Sequence, residues 1–367
     1  MSQLLIFIFL AGFQGYVNIE DIIDDVTKRY APDKRISLFN ISYEIQDNSI
    51  NLFGETNKVN AKNDLLFQLD SLGLIYQDNI DVLPKEKIYG IINNSVGNLR
   101  GKPSHSSELV SQTLLGTKVK ILKKEGEWYL IQTPEDYISW IDHGGISIMD
   151  EENYKGYYKN QYIYSSIQGF AYNSIEKESV VSDLVVGSIL NVTGTNGEFY
   201  KIEYPDKRIG WVSKKDISPL FNSNDFSGLE IVRNSKKFIG VPYLWGGTSS
   251  KGFDCSGFTK TVYLMNGLVI PRDASQQINE GKLVDDQRKW DNLREGDLMF
   301  FGYYKDGRRR IDHVSIWIGD GKFIQASKNV RINSVYPEDP LYDRYHMEKY
   351  IESRRIIGNE TNGIKKL

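Results

Sequence analysis

The chain has 367 residues, 40% of them hydrophobic and 25% charged, which is the composition of ordinary globular protein at a length that suits two or more domains. A formal net charge of −3, with no basic run long enough to track phosphates, speaks against a nucleic-acid partner. A single cysteine excludes an internal disulfide, and without clustered Cys and His there is no support for a metal site or a cofactor.

The N-terminal apolar run from Leu4 to Phe13 is too short to span a bilayer, so no integral membrane span is expected. Residues 1–15 read as a signal-like segment, which implies an extracytoplasmic protein, periplasmic or secreted. No cysteine follows to carry a lipid, so a lipoprotein anchor is not expected. Because no Lys or Arg precedes the run, an N-terminal strand packing on the next domain is the alternative. From 16 to 85 the pattern is that of a small α/β module. Ile19, Ile22, Ile23 and Val26 sit at helical spacing within a helix from Asn18 to Tyr30. Strands follow at Ile36 to Glu44 and Ser49 to Glu55, then a helix from Ala61 to Leu72 and a strand from Ile80 to Leu83. The segment Ile50-Asn51-Leu52-Phe53-Gly54-Glu55-Thr56 before a helix resembles the module called BON-like, and no chemistry is assigned to it.

Next comes a repeat. Gly116, Trp128 and Trp140 recur at twelve-residue intervals, and so do Gly187, Phe199 and Trp211. Each copy holds short β-rich stretches between Gly and Asn turns, which fits a small β-barrel. The copies are placed at 86–148 and 155–222 and resemble bacterial SH3-like modules, with Trp128, Trp140 and Trp211 read as barrel-core residues.

The stretch from Val241 to Gly257 carries Cys255, the sole cysteine. An apolar run from Phe258 to Met265 follows, so Cys255 is expected at a helix N-terminus, where free amides and the helix dipole favour a thiolate. Of the four histidines, His105 and His143 lie in the accessory modules, and His346 sits among charged residues near the C-terminus. His313 opens a strand-like run that a Gly319-Asp320-Gly321 turn reverses into Lys322 to Ala326. A hairpin centred on Gly319 sets His313 opposite Gln325. Nucleophile, base and an orienting polar residue form the arrangement expected of a cysteine peptidase.

Tyr243-Leu244-Trp245-Gly246-Gly247, Phe253-Asp254-Cys255-Ser256-Gly257, Arg294 to Phe301 and Asp312 to Gly319 together resemble the NlpC/p60 family of papain-like bacterial cell-wall peptidases. The resemblance covers 227–358 and implies an α+β fold with Cys255 as nucleophile, His313 as base and Tyr243 near the oxyanion. The third catalytic position falls on Gln325, whose carbonyl can accept the imidazole N–H but carries no charge to stabilise an imidazolium. Leu99 to Pro103, Glu108 to Gln112 and Asp136 to Trp140 are similar to blocks of the YkfC-like γ-D-glutamyl-L-diamino acid endopeptidases. That likeness implies that Glu108 and Tyr137 close one end of the cleft, that Asp273 is a second carboxylate on a free substrate amine, and that Trp245, Asp254 and Ser256 line the subsite beside the nucleophile. An exposed loop acid is the plain alternative for Glu108, helix capping for Asp273 and a structural acid for Asp254.

Taken together, these residues predict a hydrolase of murein peptides that cuts between D-Glu and a diamino acid in peptides beginning with free L-Ala, in recycling or scavenging of wall fragments. Two other classes share the same residues. One is a peptidoglycan-binding protein with a weak or inert catalytic domain, and the other a papain-fold amidase or acyltransferase.

Overall fold

The computed structural model describes residues 6–10, 13–47, 49–157, 160–220 and 227–367, with side chains from Asn18 onward. Two compact units divide the chain, Met1–Lys87 and Ile88–Leu367. Part of the signal-like segment lies outside the described residues. Within them, Ile6–Leu10 pairs antiparallel with Phe13–Val17.

In the first unit the helix Ile19–Tyr30 is capped by Asn18, whose side chain accepts from the Glu20 amide, and it buries Ile19, Ile23 and Val26. An antiparallel hairpin of Phe39–Gln46 and Ser49–Thr56 follows. The helix Val59–Ser71 then carries the chain over to Tyr76–Val82, which pairs parallel with Ser49–Thr56. Leu52, Leu65, Leu69 and Ile80 meet the first helix in one core. The last strand starts at Tyr76 rather than Ile80, because only Ile80 among its central residues turns inward and the exposed positions before it leave little hydrophobic pattern.

Two seven-stranded antiparallel sheets open the second unit, and they share one strand order. Position by position the repeat holds. Trp128 and Phe199 each open a strand, Trp140 and Trp211 each sit third in the next, and a short 3-10 turn follows both. Trp128 and Trp140 are buried as expected, whereas Trp211 is only half-buried. The main cluster of the first module is aliphatic, built on Ile92, Leu99, Val119, Ile121, Ile131 and Ile141. Trp128 packs beside it against His105, and Lys123 lies over the ring of Trp140. The two modules touch through the Ile189 amide, which donates to the Leu115 carbonyl at 2.8 Å.

The last part of the unit is a six-stranded antiparallel sheet in the order Lys282–Asp285, Tyr350–Arg355, Leu298–Lys305, Arg308–Gly319, Lys322–Ser327, Asn329–Ser334. The helix Cys255–Leu264 packs on it, with Phe258 and Val262 meeting Val314, Ile316 and Ile324. One expectation is corrected here. The hairpin after His313 turns at Asp320-Gly321, so Ile316 pairs with Ile324, and that register continued sets Gln325 opposite Ser315 rather than His313. The slip is two residues, which preserves the face: His313 and Gln325 become diagonal neighbours on one side of the sheet. Near the C-terminus, Lys365–Lys366 pairs with Leu268–Val269, and Lys365 Nζ reaches Asp136 Oδ2 at 2.6 Å in the first module.

Candidate active site

Cys255 is the first residue of its helix. Asp254 is the N-cap, and its Oδ1 accepts from the Gly257 amide at 2.7 Å. The backbone amides of Ser256 and Val314 are near enough to the thiol to favour its charged form, and Val314 packs in one cluster with Cys255. A register shift helps set this place. Phe301 pairs with His313 and Gly302 with Ile311, which leaves Asp312 extruded just before the histidine. Asp312 turns outward to Lys349 while His313 is buried.

Burial pushes the Cys255 thiol up to about 12, with the charge of Asp254 adding to the effect and the two amides and Arg272 opposing it. Burial, with neighbouring His346 adding to it against the pull of Gln325 and Asp343, likewise lowers His313 to about 3. The acidified thiol expected from the helix start is therefore not present at rest, because desolvation outweighs the helix amides. The resting pair is a neutral thiol and a neutral imidazole. Tyr243 stands close by, its phenol raised by burial and by the fields of Cys255 and Asp254.

Behind His313 lies a network. Its Nε2 sits 2.5 Å from Gln325 Oε1, and Gln325 Nε2 donates to Asp343 Oδ2 at 2.7 Å and to Asn333 Oδ1 at 2.8 Å. Asp343 also accepts from His346 Nδ1 at 2.8 Å, and the His346 ring lies 4.3 Å from that of His313. The sequence reading passed over His346 and Asp343. Their Asp-x-x-His spacing, which matches a helix N-cap and the first turn it caps, was the available signal.

On the other side of the nucleophile, Arg272 is 1% exposed and hydrogen-bonds three side chains. Its Nη2 donates to Asp254 Oδ2 at 2.6 Å, its Nη1 to Ser256 Oγ at 2.9 Å, and its Nε to Ser111 Oγ of the first module at 2.9 Å. Burial alone would lower its pKa, but the charge of Asp254 holds it above the usual range, with Asp273 and Tyr137 adding to the effect. Asp273 caps the helix Ala274–Gln277 in a capping box with Gln276, and its carboxylate lies 3.8 Å from Arg272. The anticipated cap is thus present, beside the buried arginine. Tyr137 is buried near the same guanidinium. Glu108 is exposed and accepts from Trp245 Nε1 at 2.7 Å. Gln112, also unforeseen, joins the module to the peptidase part by accepting from the Thr248 amide and the Ser249 hydroxyl. The structure thus gathers Asp254, Ser256, Tyr137 and Asp273 around one arginine beside Cys255, and it joins His313 to Gln325 next to Val314, which packs in one cluster with Cys255.

Residues 240–355 match the NlpC/P60 family, residues 95–147 the bacterial SH3 domain, and residues 150–218 the GW (Gly-Tryp) dipeptide domain. A γ-D-glutamyl-L-lysine dipeptidyl-peptidase of Bacillus subtilis is 32% identical over 59% of this chain and 72% of its own length. This chain belongs to the NlpC/P60 family. Another NlpC/P60 relative, the γ-D-glutamyl-L-lysine dipeptidyl-peptidase of Bacillus cereus, is 28% identical over 69% of this chain and 77% of its own. The crystal structure of an NlpC/P60 family protein from Bacillus cereus shares the fold, with a TM-score of 0.62 and 24% identity over 73% of this chain and 99% of that one. The second module of this NlpC/P60 chain matches the GW description through a stretch that includes Gly210-Trp211, yet it keeps the strand order of the first. The family is one of peptidases acting on the cell wall, and among the described residues no helix is long and apolar enough to cross a membrane.

Proposed function

We propose that this NlpC/P60 protein is a cysteine endopeptidase that hydrolyses the γ-D-glutamyl-diamino acid bond of murein peptides with a free N-terminal L-Ala. The observation that carries this reading is the meeting of Glu108 and Trp245, a residue of the first module and one of the peptidase part, next to Gly246, whose amide donates to Asp254, the residue before Cys255. A peptide amine entering there brings a cation into a partly enclosed site, where Glu108 and Asp273 are the carboxylates to receive it. The relatives named as γ-D-glutamyl-L-lysine dipeptidyl-peptidases support the same bond.

In the reaction His313 takes the Cys255 proton as the sulfur attacks the γ-carbonyl carbon. Backbone amide at the helix start and the Tyr243 hydroxyl receive the oxyanion. The imidazolium then protonates the departing amine of the diamino acid, leaving a thioester, and water on the reverse path frees the D-glutamate carboxylate. A neutral resting pair suits this sequence, because charge appears only as the bond forms. The first module acts as a wall that excludes stems still attached to glycan, which points to released fragments as substrates and to an extracytoplasmic recycling or scavenging role. The small N-terminal α/β unit is read as a BON-like spacer without chemistry.

Digestion of L-Ala-γ-D-Glu-diamino acid beside its N-acetylated form tests the reading. Cleavage of the free-amine peptide at the γ-glutamyl bond is expected, and equal rates for the two forms would reject the amine clamp.

A further inference from the structure

A glutamine in the third catalytic position raises a question of direction. Its amide has a donor end and an acceptor end of nearly equal shape, and only one of them serves a histidine base. With Oε1 toward His313, the imidazole must carry its proton on Nε2, and Nδ1 keeps the lone pair that can take the thiol proton. With the amide turned over, Nε2 of the imidazole becomes the acceptor and the proton moves to Nδ1, where it blocks the base.

Asp343 resolves the choice. Against the cost of burial, His346 and Gln325 hold its carboxyl well below the usual carboxylate range, so it is ionised and can only accept. The Gln325 nitrogen must therefore face Asp343 and its oxygen must face His313. Asn333 adds a second acceptor whose own orientation is fixed, since its Nδ2 donates to the Leu341 carbonyl and its Oδ1 accepts from Arg331 Nε. Asp343 itself is held by the His346 ring and backbone amide, and Arg331 stands 3.8 Å away.

We propose that Asp343, anchored by His346, is a positioning residue that locks the Gln325 amide in one orientation and thereby fixes His313 as its Nε2–H tautomer, with Nδ1 free for Cys255. Asp343 supplies through an amide the fixed negative charge that an orienting carboxylate would supply directly. The chain reads carboxylate, amide, imidazole, thiol. His346 belongs to it as the clamp on the carboxylate. This rests on His313 being the base, but the tautomer can be read without any substrate, so a wrong substrate and a wrong positioning residue give different failures.

The test uses the full-length protein labelled with ¹⁵N-histidine, in which nitrogen shifts and couplings distinguish the tautomers. His313 is assigned by comparison with H313N. In the native protein at pH 7 the Nε2–H tautomer is expected, and finding Nδ1–H there overturns the proposal whatever the variants do. D343N replaces a pure acceptor with an amide that can also turn over. It should cut kcat about tenfold or more with KM changed less than twofold, and the His313 signals should report a tautomer mixture. The double variant Q325E/D343N moves the negative charge one position along, where the asparagine donates to the new glutamate and that glutamate accepts from His313. It should recover most of the lost kcat and the single tautomer, which a purely structural role for Asp343 does not predict. A D343N protein with native kcat and tautomer, or a double variant no better than D343N, overturns it.

Discussion

Trp245 donates from its indole nitrogen to the Glu108 carboxylate at 2.7 Å, joining two exposed side chains that stand 137 residues apart in sequence. The bond fixes which way the carboxylate points while leaving its other oxygen for a ligand. E108Q keeps an acceptor for the indole and removes only the charge. Loss of one charge-assisted contact is worth about 1.5–3 kcal/mol. We therefore expect kcat/KM for a free-amine peptide to fall roughly tenfold to a hundredfold, mostly through KM. The N-acetylated peptide should be affected much less, and steady-state kinetics on the two peptides checks this.

The neutral thiol has a consequence for chemical labelling. With Cys255 raised to about 12, iodoacetamide should alkylate the free enzyme slowly at pH 7 and faster with every step toward alkali, without a plateau near neutrality. Rates measured from pH 5 to 10 beside free cysteine would show the enzyme curve displaced to higher pH. A neutral-pH plateau faster than free cysteine would mean a preformed thiolate.

His313 also ties stability to pH. Its ordinary value of 6.5 falls to about 3 in the folded protein. Between those limits the unfolded chain binds a proton that the native imidazole refuses, so stability declines as pH drops from 6.5 toward 3. H313N removes that term. Its Tm should vary less over pH 6.5 to 4 than that of the native protein, which differential scanning calorimetry can read.

Gly246 has φ +78, and a Cβ there would run into the Leu109 carbonyl of the first module. G246A therefore strains the backbone and spreads the contact beside Trp245. A cost of about 1–3 kcal/mol is expected, and KM should rise more than kcat falls. Denaturant midpoints and kinetics on one preparation separate the two effects.

Much of the site was legible because its chemistry is local. Asp254, Cys255 and Ser256 are consecutive, and the glycines and the apolar run around them mark a turn into a helix. The partners brought in by tertiary packing were harder to see. Arg272 could not be singled out, since nothing in one sequence shows that its guanidinium is buried among Asp254, Ser256 and Ser111. Gln325 was found through a hairpin drawn two residues out of register, and the right face was reached because sheet faces repeat every two residues. His346 looked like a surface residue amid Tyr345, Glu348 and Lys349. It is buried because its short helix turns it and Met347 inward, His346 against Phe301 and His313. The tryptophan spacing marked equivalent strand positions, and it told of burial in the first module, where Trp128 and Trp140 are buried, better than in the second, where Trp211 is only half-buried.

Ser95 of the first β module, Asp183 of the second and Lys251 of the peptidase part meet at one point, with Asp183 accepting from Ser95 at 2.9 Å and pairing with Lys251 at 2.6 Å. Three building blocks are thus keyed at a common corner. Excised alone, residues 227–367 would leave Lys251 without its carboxylate, the Thr248 amide without Gln112 and Arg272 without Ser111, so the peptidase part is expected to be less stable on its own.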